Sequence, residues 1–432
     1  MEEGGWNLSQ AATELIKSSL VRFPTGDVDE ADQVQNAVDY AAYLGSNHNF
    51  DMDLLSMYAE AEMDVMAVRG QGYYTLNGEV NPGEPREEAV RAMDALETVM
   101  SSSGASSQQP LALHMYIHIT EPLTPGEGAA KGEASADSLA SLNVTGSGHL
   151  LHMPGHLFMR VGRYSDVATS NALAHEADDL YKGKGMLPYG PAHNSYMGVA
   201  AAALDGQSVW SIKYSEIMRD IYRGGDADDS PGVEDGWNTL LMVYLRFGMW
   251  EEVVKDKYWR VPKEFGLEEG NNYGDFLGAY CRGQAFWQLG EAERAESELS
   301  AMAGMSLADK FQDRAKVAIL SLRARLAGGE EGLELLREAA EEQNGWEYNS
   351  PPQFMQPMNQ CVGAYLLGLG RREEAAQAFE TDLMEFPKNA WSLLGMFEAT
   401  GEARYMERAK EAWERGDVEL TSPCLIFADV KR

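Results

Sequence analysis

Cysteine is scarce in this chain of 432 residues: Cys281, Cys361 and Cys424 are its only three, far apart and with no CxxC pair. Such usage predicts neither a disulfide framework nor a thiolate metal site. Basic residues are also few, 35 Lys and Arg against 68 Asp and Glu, for a net charge of −33. A field of that sign repels phosphate backbones and anionic lipid, so neither nucleic acid nor a membrane surface is expected as a partner. No apolar run approaches the roughly 18 residues of a membrane span. The opening MEEGGWNLSQ lacks the basic and apolar regions of a secretory signal, and a cytoplasmic location is expected. P-loop, GxGxxG, GxSxG and HExxH patterns are missing, which removes support for nucleotide binding, serine hydrolysis and zincin chemistry. Strand signals are nearly absent.

What the chain does have is a repeat. Glycine separates two apolar helical runs at Gly162, Gly206, Gly248, Gly290, Gly328 and Gly370, with spacings of 44, 42, 42, 38 and 42. The contexts RVGRYSDV, RFGMWEEV, QLGEAERA and GLGRREEA all read helix, glycine, helix, because glycine suits the left-handed residue that closes a helix. A single such pair cannot bury its apolar face, whereas stacked pairs can. The pattern predicts an all-α, right-handed α-solenoid of about eight helical hairpins, tetratricopeptide-repeat-like, in units of about 42 residues. Gly363, Gly370, Ala375, Phe379 and Pro387 fall at tetratricopeptide spacing, Trp391, Leu394 and Gly395 open another unit, and Asp382 departs from the pattern. One solenoid is expected over 1–432, with irregular N-terminal helices at 11–100, histidine-bearing repeats at 108–206, and tetratricopeptide-like repeats with a cap at 207–422. Helices are expected over 11–21, 51–68 and 85–100. The segments 101–109 and 122–138 read as flexible.

Histidine marks the chemistry. Of eight histidines, seven lie between His114 and His193, within 80 residues. His149, His152 and His156 precede Gly162 by 13, 10 and 6 residues, and His193 precedes Gly206 by 13. In a stacked array, first helices line the concave wall, so these imidazoles should share one cavity. His114, His118 and Glu121 stand at i, i+4 and i+7, and His149, His152 and His156 at i, i+3 and i+7, each set on one helix face. Pro154 either kinks the second set's helix or begins it. A single histidine in a helical repeat is ordinarily a hydrogen-bonded core residue. Six on neighbouring faces favour a metal over that reading and over a metal-free polar pocket. The candidate ligands are therefore His114, His118, His149, His152, His156 and His193, for one or two transition metal ions, copper first, then zinc or iron. Glu121 and Glu60 are candidates as ligand or base, and Tyr189 and Asn194 as groups that orient His193 or meet a substrate. His175 should be a solvated residue on a second helix, His48 a cap or turn residue, and Arg160 and Arg163 surface ion-pair formers. Met115, Met153 and Met159 are better explained by packing than as thioether ligands.

GHLLHMPGH followed by LFMRVGRYSDV resembles a group of large tetratricopeptide-repeat-like proteins, known mainly from bacteria, whose marks are an HMPSH motif and a terminal AWxxxDVxLTSS. The matching residues are His152 to His156, and Ala412-Trp413 through Asp417-Val418 to Thr421-Ser422. HMYIHITE, PYGPAHN and MYAEAEMD resemble further motifs of the group, and the resemblance spans about residues 11–422. It implies an α-solenoid and the location of the site, without naming a reaction. Gly155 stands where the group has serine, and a Cys-bearing leading helix expected before residue 11 is absent or lies outside this chain.

The function expected is a metal-dependent enzyme, redox at copper or iron ahead of hydrolysis at zinc, acting on a small-molecule or peptide substrate in the concave cavity. The alternatives are a peptide- or protein-binding scaffold and a metal-storage or delivery protein. No feature of the sequence points to an oligomeric state.

Overall fold

A computed structural model describes residues 8–24, 29–75, 83–186, 188, 190–224 and 232–428, and these are all-helical. Among them the only β feature is one antiparallel bridge between Tyr74 and Pro85. No described helix is long and apolar enough to cross a membrane. The chain divides into two compact units, 1–144 and 145–432, with the boundary inside the segment 108–206.

The first unit holds α1 (Gln10–Arg22), α2 (Glu30–Asn47), α3 (Met52–Val68), α4 (Glu87–Met100), α5 (Pro110–Thr120) and α6 (Glu133–Leu142). Side-chain caps set the starts: Asp51 accepts from the backbone of Asp53 and Leu54 at α3, and Gln109 accepts from Ala112 at α5, whose first residue is Pro110. The apolar face of α3 (Leu55, Ala59, Met63, Met66) packs against Ala89, Ala92 and Leu96 of α4 and Met115 and Ile119 of α5. On its other side Leu54, Ala61 and Val65 meet Ala37, Tyr40, Ala41 and Leu44 of α2. The sequence reading places no helix at 30–47, where polar residues interrupt the stripe. The two segments expected to be flexible carry short helices: 104–108 form a 3-10 helix, and 129–132 another that leads into α6, with Ala129, Ala136 and Leu139 buried.

The second unit begins with α7 (Gly148–His152), α8 (Pro154–Arg160), α9 (Tyr164–Gly183), α10 (Pro191–Leu204), α11 (Ser208–Arg223) and α12 (Val233–Gly236). It continues with α13 (Thr239–Arg246), α14 (Trp250–Lys255), α15 (Tyr273–Gln288), α16 (Ala292–Ala303) and α17 (Gln312–Ala327). α18 (Gly329–Asn344), α19 (Met358–Gly368), α20 (Arg372–Glu385), α21 (Ala390–Thr400) and α22 (Ala403–Ala412) complete it. All six repeat glycines fall between consecutive helices with φ between +66° and +80°. Two of them are also hemmed in: a Cβ at Gly162 would meet the backbone carbonyl of Pro387, and one at Gly206 the Trp413 indole.

The helices of the second unit return on themselves. Trp391 Nε1 donates to Ala203 O at 3.1 Å, Tyr164 Oη to Pro387 O at 2.8 Å, and the carboxylate of Asp417 accepts from Ser208 N and Val209 N at 2.8 and 2.9 Å, capping α11. In a linear array each repeat touches only its neighbours, so contacts between the first and last helices distinguish this unit from one. Residues 346–357 run inward as a connector: Phe354, Met355 and Gln356 are buried, and Phe354 meets Tyr280 at 5.6 Å.

Asp382, the residue that departs from the repeat pattern, is the hub of a buried polar network. It accepts from Ser392 Oγ (2.6 Å), Gln360 Nε2 (2.9 Å) and Asn389 Nδ2 (3.0 Å), and Gln360 Oε1 accepts from Arg246 Nη1 at 2.7 Å. Burial raises its carboxyl above the usual range, and those donors oppose the rise. The cysteines also differ from expectation. Cys361 and Cys424, 63 residues apart in sequence, form a disulfide between α19 and the C-terminal tail. Sequence spacing carries no signal for a bond that depends on the tail folding back.

Candidate metal centre

Three helical segments of the second unit converge on one point. Ser147 caps α7, Met153 keeps right-handed helical angles (φ −53°, ψ −39°), and Pro154 opens α8. The proline therefore breaks one helical run into two pieces, leaving His149 and His152 on the first and His156 on the second. α10, entered through the left-handed Gly190 and Pro191, brings His193.

His152 Nε2 and His156 Nε2 lie 2.7 Å apart, and the His193 ring centroid is 4.8 Å from that of His152 and 5.6 Å from that of His156. Each of the three offers a ring nitrogen within 4.8 Å of the others. His152 is 0% exposed and His156 6%, while His193 is half-buried. Around an ion with metal–nitrogen bonds of about 2.1 Å, neighbouring ligand nitrogens stand about 3.0–3.4 Å apart, so the His152–His156 pair needs to open by only a few tenths of an ångström to share one.

The lock on this geometry is Asn171 of α9. Its Nδ2 donates to Val167 O at 2.8 Å, which fixes the amide orientation and turns Oδ1 towards His152 Nδ1 at 2.6 Å. An acceptor there holds the proton on Nδ1 and leaves Nε2 as a lone pair facing His156, the arrangement seen where a protein orients a metal-binding imidazole. Burial, then the neighbouring His156 and His193, push the His152 pKa well below its ordinary value, so it is neutral at pH 7. Gly155 abuts the same lock: a Cβ there would lie 3.2 Å from Asn171 Nδ2. No sequence pattern marks Asn171, since it acts from a second helix. His149 stands outside the triad, its ring 6.3 Å from that of His152.

Comparison with protein families finds no model that matches the chain, and comparison with curated proteins finds no match.

The first unit carries the other candidates. His114 and His118 share a face of α5, ring centroids 4.7 Å apart, and Glu121 at its end is 7% exposed. Burial, then Glu121 and Asp64, push the Tyr73 hydroxyl up to about 12, so it remains a neutral donor. Glu60 of α3 is half-buried, its pKa raised by burial and by Asp64 one turn on.

Other expectations need adjustment. Asn194 is 1% exposed and donates to Asp178 Oδ2 at 3.1 Å, which makes it a brace between α10 and α9. Tyr189 lies outside the described residues. Arg160 is buried: it pairs with Glu385 at 2.9 Å and stacks on Tyr348 at 4.1 Å, because the later helices close over the end of α8. His175 is only 18% exposed at its side chain and packs edge-on against Tyr214, so it is not a solvated residue. It nonetheless stays apart from the triad, beside Asp179.

Proposed function

We propose that this protein is a metal-dependent enzyme built of tetratricopeptide-like helical hairpins, an α-solenoid whose last hairpins fold back on its first within the second unit, with His152, His156 and His193 as its principal ligand set. The reading rests on one observation: Asn171 holds the buried His152 in the tautomer that directs its Nε2 lone pair at His156 Nε2. The donor set is all imidazole, which suits copper first, then zinc or iron. When bound, copper or iron would supply one-electron exchange and zinc a Lewis acid. The protein's own part is to keep His152 neutral, to orient the triad, and to hold His149 at a distance from which it can take or deliver a proton. His114 and His118 with Glu121 form a second, mixed nitrogen and carboxylate set for a second ion, and Glu60 serves as a base. The net charge of −33 favours the approach of cations. The peptide-scaffold reading is weaker, because the chain's own residues 352–355 occupy the inner helix faces, with Tyr196 donating to Pro352 O at 3.0 Å.

Elemental analysis after chelator-free purification, followed by titration of stripped protein, tests the proposal. It expects about one equivalent of copper, zinc or iron held by the triad. Less than about 0.2 equivalents, with no binding on titration, overturns it.

A further inference from the structure

The disulfide of the second unit reaches the histidine triad through a short chain of contacts. Cys361 and Cys424 are fully buried, and Gln356 Nε2 donates towards both sulfurs, at 3.1 Å to Cys361 Sγ and 3.7 Å to Cys424 Sγ. Gln356 lies at the inner end of the connector 346–357. Further along it, the Tyr348 ring underlies the Arg160 guanidinium at 4.1 Å, and Pro352 O accepts from Tyr196 Oη at 3.0 Å. Arg160 is one turn beyond His156 on α8, and Tyr196 is one turn beyond His193 on α10. Disulfide, glutamine, connector and two ligand-bearing helices are thus packed in one continuous path.

The tail held by Cys424 is itself structural. Ile426 and Phe427 are buried, Gln288 Nε2 donates to Ile426 O at 3.1 Å, and Asp417 caps α11. A cleft of about 610 Å³ lies beside the bond, lined by Ala364 and Gly368 of α19 and by Ser422 and Pro423 next to Cys424. Neither sulfur lines the cleft, so a dithiol reaches the bond only when the tail beside Cys424 moves.

We propose that Cys361–Cys424 is a redox clasp for the metal centre, a regulation that rests on the metal reading above. Closed, the bond fixes the connector against α8 and α10. Opened, it frees the tail and Gln356, the connector loosens, and the triad holds its ion less tightly. Opening is a two-electron, two-proton exchange: one thiolate of a dithiol attacks one sulfur, the other sulfur leaves and takes up the proton, a mixed disulfide forms, and the reductant's second thiol, giving its proton to the remaining cysteine, resolves it. Cys361 and Cys424 leave as thiols and the reductant as its own disulfide. The 63-residue span of the bond is long, so its loss releases substantial freedom in the tail. The closed state belongs to an oxidising compartment, and a cytoplasmic protein would work with the clasp open.

The test uses the full chain in three forms: oxidised, reduced by a dithiol that is then removed, and a Cys361→Ser/Cys424→Ser double variant that adds no new thiol ligands. Zinc release to a chromophoric chelator is followed alongside hydrogen exchange. Release about tenfold faster from the reduced and double-variant forms is expected, with faster exchange in 346–357 and in the last turns of α8 and α10. Gln356→Leu, which keeps the disulfide, should accelerate release by a smaller factor, about threefold, and keeps the test open if the double variant does not fold. Release within twofold across all forms overturns the clasp, as does alkylation of Cys361 and Cys424 in non-reduced, denatured protein. If copper, zinc and iron all fail to bind, the metal reading fails separately, and exchange decides: no change in 346–357 on reduction overturns the path itself.

Discussion

The two units present histidine in different ways. In the first, His114 and His118 come from one helix face, among carboxylates and a neutral tyrosine: Glu121 and Asp64 both act on Tyr73, and Glu60 is one turn from Asp64. In the second, His152, His156 and His193 come from three helical segments and meet in a buried pocket whose orienting group is an amide. One set offers nitrogen with negative oxygen, the other neutral nitrogen alone. On the proposed reading the first would suit a harder ion, whereas the second would suit copper or zinc and depend on fixed tautomers. The number of histidines describes neither difference.

The largest effect expected is from His152→Ala. Removing a buried ligand should lower metal affinity of the second unit's set by more than about 100-fold with helicity unchanged, read by competition against a calibrated chelator and by far-ultraviolet circular dichroism. His118→Ala should instead act on the mixed set. If the two variants lose the same single ion, the distinction between the units collapses.

Asn171→Ala comes next. It leaves His152 Nδ1–H without its partner in the interior, at about 1–3 kcal/mol of stability, whereas Val167 O keeps its helical backbone bond. It also frees the imidazole to take the other tautomer, so metal affinity should fall by about 10–100-fold. Chemical denaturation and metal competition measure the two separately. An affinity equal to wild type would mean that burial alone orients His152, and the amide lock would lose its role.

How much of this was legible in the sequence depends on whether the signal was local. Repeat glycines are visible because a left-handed helix end needs a particular residue, and each one sits at φ > 0 between helices. Histidines at i, i+4 are visible because the helix period is fixed. Asn171 is not, since its role exists only once α9 packs beside α7 and α8. Nor is the burial of Arg160, which depends on Glu385 and Tyr348 arriving from about 190–225 residues away. The disulfide fails for the same reason. Asp382 was legible only as an irregularity; the donors from α19 and α21 show why a carboxylate stands there.

A pH titration sharpens the contrast between the units. The His152 pKa is depressed in the folded protein, so below about pH 6.5 the unfolded chain takes up a proton that the native state refuses. Unfolding is then favoured as pH falls, by up to about 1.4 kcal/mol per pH unit for this group, until the folded pKa is reached. Asp205, raised by burial to about 6, acts with the opposite sign over an overlapping range, so the difference between wild type and His152→Gln is the informative quantity. Wild type should lose stability relative to the variant between pH 6.5 and 5, followed by thermal melts. Parallel curves would mean that His152 takes up its proton in the native state as readily as in the unfolded chain, and burial with its imidazole neighbours would not be what keeps it neutral.

The smallest effect expected is from Gly155→Ser, which restores the residue of the HMPSH motif. Two terms oppose each other. Serine removes the backbone freedom of glycine within α8, a gain of about 0.5 kcal/mol. Its Cβ, however, arrives 3.2 Å from Asn171 Nδ2 and 3.4 Å from Val167 Cγ1, closer than ordinary contact, so the amide must give by a few tenths of an ångström. The new hydroxyl can accept from that same Nδ2, replacing part of what the shift costs. The sum should leave stability within about 1 kcal/mol of wild type and metal affinity within about threefold, measured by the same denaturation and competition assays. A loss as large as that of Asn171→Ala would show that α9 cannot yield. The glycine would then be a requirement of this chain's amide lock, and the likeness to the serine-bearing motif would not extend to how His152 is held.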